Sequence, residues 1–328
     1  MAGGRVHLFS PRASEALGSA IAEQLGTVLS PLEQRDFEDG EYKLRPLTSV
    51  RGGDAYVLHS LASTSDLSPD DQLCRLLFLV GALRDAGVDR LTVLAPYLCY
   101  GRKDRRTKPR DPVTTRYLAQ LLEAMGADRV VSVDVHNRAA FDNAFRIPAL
   151  HLTARPLFVD WVKEALEGRR CVVVSPDIGG VKRAGRYRDA LQDALGDDPV
   201  PLAFMEKYRS SGVVSGDRLA GDVEQRVAIL VDDLISSGST MRRAAEACLA
   251  KGAERVWALA THGLFAGKAS RELGDPSIER IVVTDSVAGW RLPAGAARDK
   301  VTWLDLAPLL ADAIERLVRD ASLLELMD

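Results

Sequence analysis

The sequence predicts an α/β protein of largely parallel sheets flanked by helices, and three observations carry that prediction. Short apolar runs alternate with helix-length segments along the whole chain, the rhythm of strand–helix–strand crossovers. Val227–Val231 is an unbroken apolar run, the signature of a strand covered on both faces. The segment Asp70–Ala86 places Leu73, Leu76, Leu77, Val80 and Leu83 on one side of a helix. A length of 328 residues suggests about two domains.

In order, Arg5–Phe9 starts a short strand and Ser14–Leu25 has helical spacing. Ala55–His59 reads as a strand, Asp70–Ala86 as the amphipathic helix, Leu91–Ala95 as a strand, Thr114–Met125 as a helix and Val130–Val133 as a strand. A second series begins past Pro148–Ala154, where the domain boundary is expected. It runs through helix Pro156–Leu166, strand Cys171–Ser175, helix Val181–Leu195, strand Pro201–Phe204, strand Val227–Val231 and helix Met241–Lys251. Val256–Thr261, Ile281–Asp285 and Val301–Leu304 are further strands, and a helix over Pro308–Leu317 carries Leu309, Leu310, Ala313, Ile314 and Leu317.

Composition narrows the function classes. Hydrophobic residues make up 46% of the chain, enough for a sizeable core. A net charge of −3 gives no field that would recruit nucleic acid or an anionic membrane. Cys74, Cys99, Cys171 and Cys248 are widely spaced with no CxxC, so neither a zinc site nor a disulfide framework is indicated, and a reducing cytoplasm fits best. No apolar run approaches 18 residues, and the N-terminus lacks the apolar core of a signal peptide, so no membrane segment is expected.

The chemistry concentrates after the strands, where open α/β sheets bind ligands. Behind Val227–Val231 stand Asp232 and Asp233, then the small residues Ser236, Ser237, Gly238, Ser239 and Thr240, then a helix. Small residues leave backbone N–H groups open and a helix N-terminus favours an anion, so the loop suits a phosphate. The two carboxylates beside it suit sugar hydroxyls or a hydrated Mg²⁺. A phosphate next to a diol is a ribose phosphate. The loop is not GxxxxGK[ST], which argues against a P-loop kinase.

Five other segments are candidates. Phe37-Glu38-Asp39-Gly40-Glu41 sets a turn-forming glycine between acids. From Arg102 to Arg110 the chain holds six basic residues in nine, with Tyr97 and Tyr100 nearby, a match for a triphosphate. His136 follows the strand Val130–Val133 and suits a metal ligand or a phosphate contact. Ser175–Arg183 reads strand end, Asp177, Gly179-Gly180 and a basic helix start; Asp177 suits a metal–phosphate group. Met205–Gly216 leaves a strand for a Gly/Ser-rich stretch, suggesting a mobile loop that carries Lys207 and Arg209.

Taken together, these segments resemble the ribose-phosphate pyrophosphokinase (phosphoribosyl pyrophosphate synthetase) family over nearly the whole chain, Val6 to Leu317. The family's acidic turn is matched by Phe37–Glu41, and its Tyr-x-Arg-Gln-Asp segment by Tyr100-Gly101-Arg102-Lys103-Asp104. Its Asp-Leu-His is matched by Asp134-Val135-His136, its Ser-Pro-Asp-x-Gly-Gly by Ser175–Gly180, and its Lys-x-Arg by Lys207 and Arg209. The small-residue loop alone would specify only the wider phosphoribosyltransferase group. There are departures: the family's Gln is Lys103, its Asp-Thr-Gly-Gly-Thr loop is Ser236-Ser237-Gly238-Ser239-Thr240, and Arg146 and Leu150 flank Ile147-Pro148 where the family often carries acids.

The resemblance implies two type I phosphoribosyltransferase-like α/β domains. Residues 1–150, completed by the terminal helix 305–328, would form the ATP side, and 151–304 the ribose 5-phosphate side. It implies transfer of the diphosphoryl group of ATP to the C1 hydroxyl of ribose 5-phosphate, with Mg²⁺ as cofactor. Asp39, Gly40, Glu41, Arg102 and Lys103 would meet ATP. Asp232 and Asp233 would hold the ribose hydroxyls, Ser236–Thr240 the 5-phosphate, and His136 and Asp177 the metal. Lys207 and Arg209 would be catalytic, Arg209 also touching ribose 5-phosphate. In many family members the acidic turn comes from a neighbouring subunit, so a dimer-based homo-oligomer, up to a hexamer, is implied. Two rivals remain at this stage: a phosphoribosyltransferase that consumes phosphoribosyl diphosphate, and a non-catalytic regulatory subunit of the synthetase.

Overall fold

A computed structural model describes the backbone of residues 6–196, 199–210 and 213–328, and the side chains of these outside 207–217. The first series of elements is β1 (Val6–Phe9), α1 (Glu15–Gln24), β2 (Leu32–Asp36), β3 (Tyr42–Pro46), β4 (Asp54–Leu58), α2 (Pro69–Asp85), β5 (Arg90–Leu94), α3 (Thr114–Ala124), β6 (Arg129–Val133), α4 (Arg138–Ala144) and β7 (Ala149–Leu152). The second is α5 (Arg155–Leu166), β8 (Cys171–Ser175), α6 (Val181–Leu195), β9 (Leu202–Ser210), β10 (Val213–Ala220), β11 (Val227–Ile235), α7 (Ser239–Ala250), β12 (Arg255–Gly263), α8 (Ala269–Gly274), β13 (Arg280–Thr284) and β14 (Val301–Leu304). The helices α9 (Ala307–Val318) and α10 (Leu324–Met327) close the chain.

These elements form two compact units, Met1–Thr153 with Leu306–Asp328, and Ala154–Asp305. The first unit holds a parallel sheet in the order β1-β4-β5-β6-β7. Its core lies between strands and helices and includes Phe9, Val57, Leu76, Leu79, Leu83, Val93, Leu118 and Phe141. α9 packs against α1. Beyond it Asp320 accepts from Arg90 at 3.3 Å and the Leu326 carbonyl accepts from Thr153 N–H at 2.8 Å, tying the chain's end to this unit. α2 starts on a capping box, with Ser68 Oγ accepting from Asp71 N–H and Asp71 Oδ2 accepting from Ser68 N–H.

A two-stranded antiparallel ribbon, β2–β3, stands apart from that sheet. The sequence carries no strand signal here, because Leu32–Asp36 is largely polar and gives no clean period-2 alternation. The ribbon is held to α2 instead by Tyr42 stacked on Phe78 at 5.7 Å, and by Arg75, which lies over the Tyr42 ring and pairs with Asp36.

The second unit has a seven-stranded sheet in the order β10-β9-β8-β11-β12-β13-β14, parallel except for β9–β10. Chain order runs outward from β8 through β9 to β10 on one side, and from β11 to β14 on the other. The gap between the carboxyl ends of β8 and β11 is therefore a topological switch point, where such sheets bind ligands.

Three boundaries differ from the sequence reading around this point. β11 does not stop at Val231 but continues through Asp232 and Asp233 to Ile235, because Asp232, Leu234 and Ile235 still pair with β12 after the β8 pairing has ended at Leu230. α7 begins two residues early, at Ser239, since the left-handed Gly238 (φ 78°) turns the chain directly into the helix. β9 also outruns its expected end at Phe204 and pairs antiparallel with β10, so the backbone of 205–210 belongs to a ribbon. The Gly/Ser composition nearby falls partly at a bulge between Val214 and Gly216.

Candidate active site

In the second unit the site is assembled by β8, β11 and the helices that follow them. β11 is fully buried from Val227 to Val231, which fixes where its carboxyl end emerges. Asp233 is buried and Asp232 half-buried. Arg183, in the first turn of α6, joins both: one guanidinium nitrogen lies 2.6 Å from Asp232 Oδ1 and another 2.9 Å from Asp233 Oδ1. Asp232 Oδ1 also accepts from Asp233 N–H at 2.8 Å. Burial first, and then the neighbouring charge of Asp233, raise the Asp232 carboxyl well above the usual carboxylate range, against the opposing pull of Arg183.

The loop after β11 shows a division of labour among its backbone groups. Ile235 O accepts from Leu264 and Phe265 N–H, Ser236 O from Ala266 N–H, and Gly238 O from Arg242 N–H. The carbonyls are thus turned toward protein, whereas the N–H groups opening α7 have no acceptor within the helix by its geometry. Such a turn suits an anion, with Ser239 N–H making only a long 3.5 Å contact to Ser237 Oγ. Ser237 Oγ and Ser239 Oγ lie 3.2 Å apart beside it. Gly238 has no substitute here: its φ is left-handed, and a Cβ would come within 2.8 Å of Leu273 Cγ.

The segment after β8 is equally constrained. Asp177 Oδ1 accepts from Gly180 N–H at 2.9 Å, and the Asp177 carbonyl accepts from Ser175 Oγ at 2.6 Å. A Cβ on Gly180 would meet Ser175 Oγ at 2.8 Å, so the turn that presents the exposed Asp177 needs its glycine. The same turn launches α6 and so delivers Arg183 to the aspartates.

In the first unit, β5 and β6 are neighbours, and the segments that leave their carboxyl ends meet. Asn137 Nδ2 donates to Asp104 Oδ2 at 2.6 Å, linking the His136 segment to the basic loop, while Asn137 Oδ1 caps α4 through Ala140 N–H. His136 and Arg102 are exposed. Lys103 Nζ is 2.6 Å from Asp111 Oδ2. The acidic turn caps the β2–β3 ribbon with Asp39, Gly40 and Glu41 all exposed; Gly40 adopts φ 90°, and Asp39 Oδ1 accepts from Glu41 N–H at 3.0 Å.

Residues 6–126 match the family model of the N-terminal domain of ribose phosphate pyrophosphokinase, and residues 215–328 that of the phosphoribosyl synthetase-associated domain. The chain is 35% identical to the ribose-phosphate pyrophosphokinase of Clostridium perfringens over 321 residues, 97% of this chain and 96% of that one. It belongs to the ribose-phosphate pyrophosphokinase family. The pyrophosphokinase of Caldanaerobacter subterraneus is 36% identical over 311 residues, 94% of each chain. The crystal structure of phosphoribosylpyrophosphate synthetase from Mycobacterium smegmatis superposes with a TM-score of 0.85 at 33% identity, covering 97% of this chain and all of that one. The pyrophosphokinase fold is thus phosphoribosyltransferase-like, α/β with mostly parallel sheets flanked by helices.

Of the candidate residues in the sequence, Asp177, Asp232, Asp233 and Ser236–Thr240 come together at the β8–β11 switch point of the second unit. Arg102, Lys103 and His136 gather at the carboxyl ends of β5 and β6 in the first, with Asp39, Gly40 and Glu41 on its ribbon. Lys207 and Arg209 lie on β9 by their backbone, and their side chains fall outside the described residues. Arg183 belongs to the basic helix start that follows Asp177, and only the fold shows that it pairs with Asp232 and Asp233. Among the described residues, no three His, Cys, Asp or Glu side chains cluster to hold a metal, and no helix is long and apolar enough to cross a membrane.

Proposed function

We propose that this chain transfers the β,γ-diphosphoryl group of ATP to the C1 hydroxyl of ribose 5-phosphate, giving 5-phosphoribosyl 1-diphosphate and AMP. The observation that carries the reading is the pairing, at one switch point, of an anion-binding turn with two carboxylates suited to a diol. Family membership supplies the reaction class. The second unit is the ribose 5-phosphate side: N–H groups and hydroxyls of Ser236, Ser237, Gly238, Ser239 and Thr240 receive the 5-phosphate, and Asp232 and Asp233 accept from the ribose hydroxyls while Arg183 holds them in place. The first unit is the ATP side, with Arg102 on the phosphates and the acidic turn of Asp39, Gly40 and Glu41 on the nucleotide.

The donor set fits Mg²⁺ bound mainly through substrate phosphates. Mg²⁺ keeps several waters and takes one or two protein ligands together with substrate phosphates rather than an all-protein cage. Asp177 offers an exposed carboxylate in the second unit and His136 an exposed imidazole in the first, each a proposed contact to metal-bound phosphate, and a bound Mg²⁺ would neutralise phosphate charge. In the transfer, the C1 oxygen forms a bond to the β-phosphorus as the bond from that phosphorus to the α,β-bridging oxygen breaks. Lys207 and Arg209 stabilise the charge that develops there. No covalent enzyme intermediate is required.

The purified chain is expected to form AMP from ATP only when ribose 5-phosphate and a divalent cation are both supplied. Nucleotide products separated by anion-exchange chromatography decide this: ADP in place of AMP removes the diphosphoryl-transfer reading. The acidic turn is also expected to lie near a subunit boundary of a homo-oligomer, dimer-based and up to a hexamer. Its solvent exposure and the family resemblance motivate that expectation. A light-scattering mass of one chain in active enzyme would refute it.

A further inference from the structure

The basic segment of the first unit is organised by a single acid. Asp111 Oδ2 accepts from Lys103 Nζ at 2.6 Å, Thr107 Oγ1 at 2.8 Å, Lys108 N–H at 3.0 Å and Thr107 N–H at 3.1 Å. Residues 103–111 are thereby closed into a loop around one carboxylate oxygen. The loop's base is fastened independently: Thr115 Oγ1 donates to the Tyr100 carbonyl at 3.0 Å, and Asp104 accepts from Asn137. Lys103 and Asp111 are partly sheltered, with side chains 35% and 23% exposed, whereas Arg102, Arg105, Arg106, Lys108 and Arg110 are exposed, Arg106 also donating to the Asp111 carbonyl at 3.2 Å.

This arrangement changes the reading of Lys103, which stands where the family pattern carries Gln. An ammonium committed to a carboxylate at 2.6 Å contributes little net charge to a phosphate, and charge-assisted bonds of this kind are the strong ones. Resting on the assignment of this segment to ATP, we propose that Asp111 is a positioning residue of the nucleotide site and that Lys103 is its internal strut, the pair shaping the loop so that Arg102 meets the phosphates. The carboxyl of Asp111 is held below the usual range, chiefly by Lys103 and next by Thr107, so it stays anionic wherever the enzyme would work.

The two roles for Lys103 predict opposite outcomes. A strut fails when either partner is removed. A direct phosphate ligand is released, not lost, when Asp111 is neutralised. The test is calorimetric titration of the full chain with a non-hydrolysable ATP analogue plus Mg²⁺, and separately with ribose 5-phosphate, for Asp111→Asn, Lys103→Met, the double variant and Asp111→Glu. Each single variant is expected to bind the analogue about tenfold more weakly, with ribose 5-phosphate changed less than about twofold, and the double variant should be no weaker than the poorer single. Asp111→Glu should recover most of the loss, and Lys103→Met keeps the test readable should Asp111→Asn lower the melting midpoint. If Asp111→Asn binds the analogue as tightly as the parent or tighter while Lys103→Met weakens it, Lys103 is a phosphate ligand and the inference is overturned. A parent chain that binds neither substrate would remove the functional reading and this inference with it, whereas normal parental binding alongside an unaffected Asp111→Asn removes the inference alone.

Discussion

Replacing Lys207 or Arg209 with alanine is expected to lower turnover about 10²–10³-fold while leaving ATP and ribose 5-phosphate binding nearly intact. The expectation rests on chemistry. In-line transfer builds negative charge around the β-phosphorus, and a cation that meets this charge only in the transition state raises turnover without tightening ground-state binding. Losing one such donor typically costs roughly 2.7–4 kcal/mol of barrier. Both residues sit on β9, past Phe204, where its pairing with β8 ends and β8 itself runs into the Asp177 turn. Arg209→Ala, on the proposal that this residue also touches the sugar phosphate, is expected to add a modest rise in the ribose 5-phosphate KM that Lys207→Ala does not show. Steady-state kinetics at saturating substrates decide the matter. A drop smaller than about threefold in both variants would take these residues out of the mechanism and favour a regulatory subunit.

The parts of the fold that were legible in the sequence are those where burial is two-sided and continuous. β8 and the first half of β11 are unbroken apolar runs because helices cover both faces, and α2 shows its periodic face because one side meets the sheet. Where stability comes from something other than an apolar stripe, the reading lost track. The β2–β3 ribbon is built from polar residues and is held by Arg75, Tyr42 and Phe78, contacts with no period to detect. β7 is four residues long, with two of them half-buried, too short for a pattern. The end of β11 was misplaced because two aspartates look like a turn, yet one-sided pairing with β12 keeps them in the strand.

The site divides along the same line. Types and spacing picked out Asp177, Asp232, Asp233 and Ser236–Thr240 because each follows a recognisable buried strand. They could not reveal that Arg183, 49 residues before Asp232, completes the group, since that pairing depends on α6 and β11 being neighbours in space. Nor could spacing tell an inward-turned lysine from an outward one in a run of six basic residues. Only the hydrogen bonds of Asp111 separate Lys103 from Arg102.

Neutralising the Asp232–Asp233–Arg183 group should separate stability from binding. Asp232→Asn is expected to leave the fold as stable as the parent or more so, yet to weaken ribose 5-phosphate by about tenfold or more, with ATP little changed. The stability arm follows from burial: the folded state disfavours the Asp232 charge, and Asn removes that cost while Arg183 keeps its 2.9 Å pair with Asp233. Its pH dependence has a definite sign. A carboxyl raised in the folded state binds more protons folded than unfolded, so the parent loses stability as pH rises above the ordinary value of 3.8. The advantage of Asp232→Asn in melting midpoint should therefore grow from about pH 5 to about pH 8. The binding arm follows from the loss of a carboxyl acceptor that leaves a sugar hydroxyl without its partner, which costs roughly 1–3 kcal/mol, and tenfold is about 1.4 kcal/mol. Asp232→Asn combined with Asp233→Asn should widen the gap between the two substrates further. Arg183→Met is expected to behave in the opposite way on stability. It takes the guanidinium away from two neighbouring acids, one of them buried, and breaking such a pair typically costs about 3–5 kcal/mol; the low end applies here because Arg183 and Asp232 each keep 24% of their side-chain surface in water. Thermal melts with matched calorimetric titrations of ribose 5-phosphate and ATP test all three variants. If Asp232→Asn lost stability and weakened both substrates alike, the group would be a scaffold ion pair and the sugar hydroxyls would have to be held elsewhere.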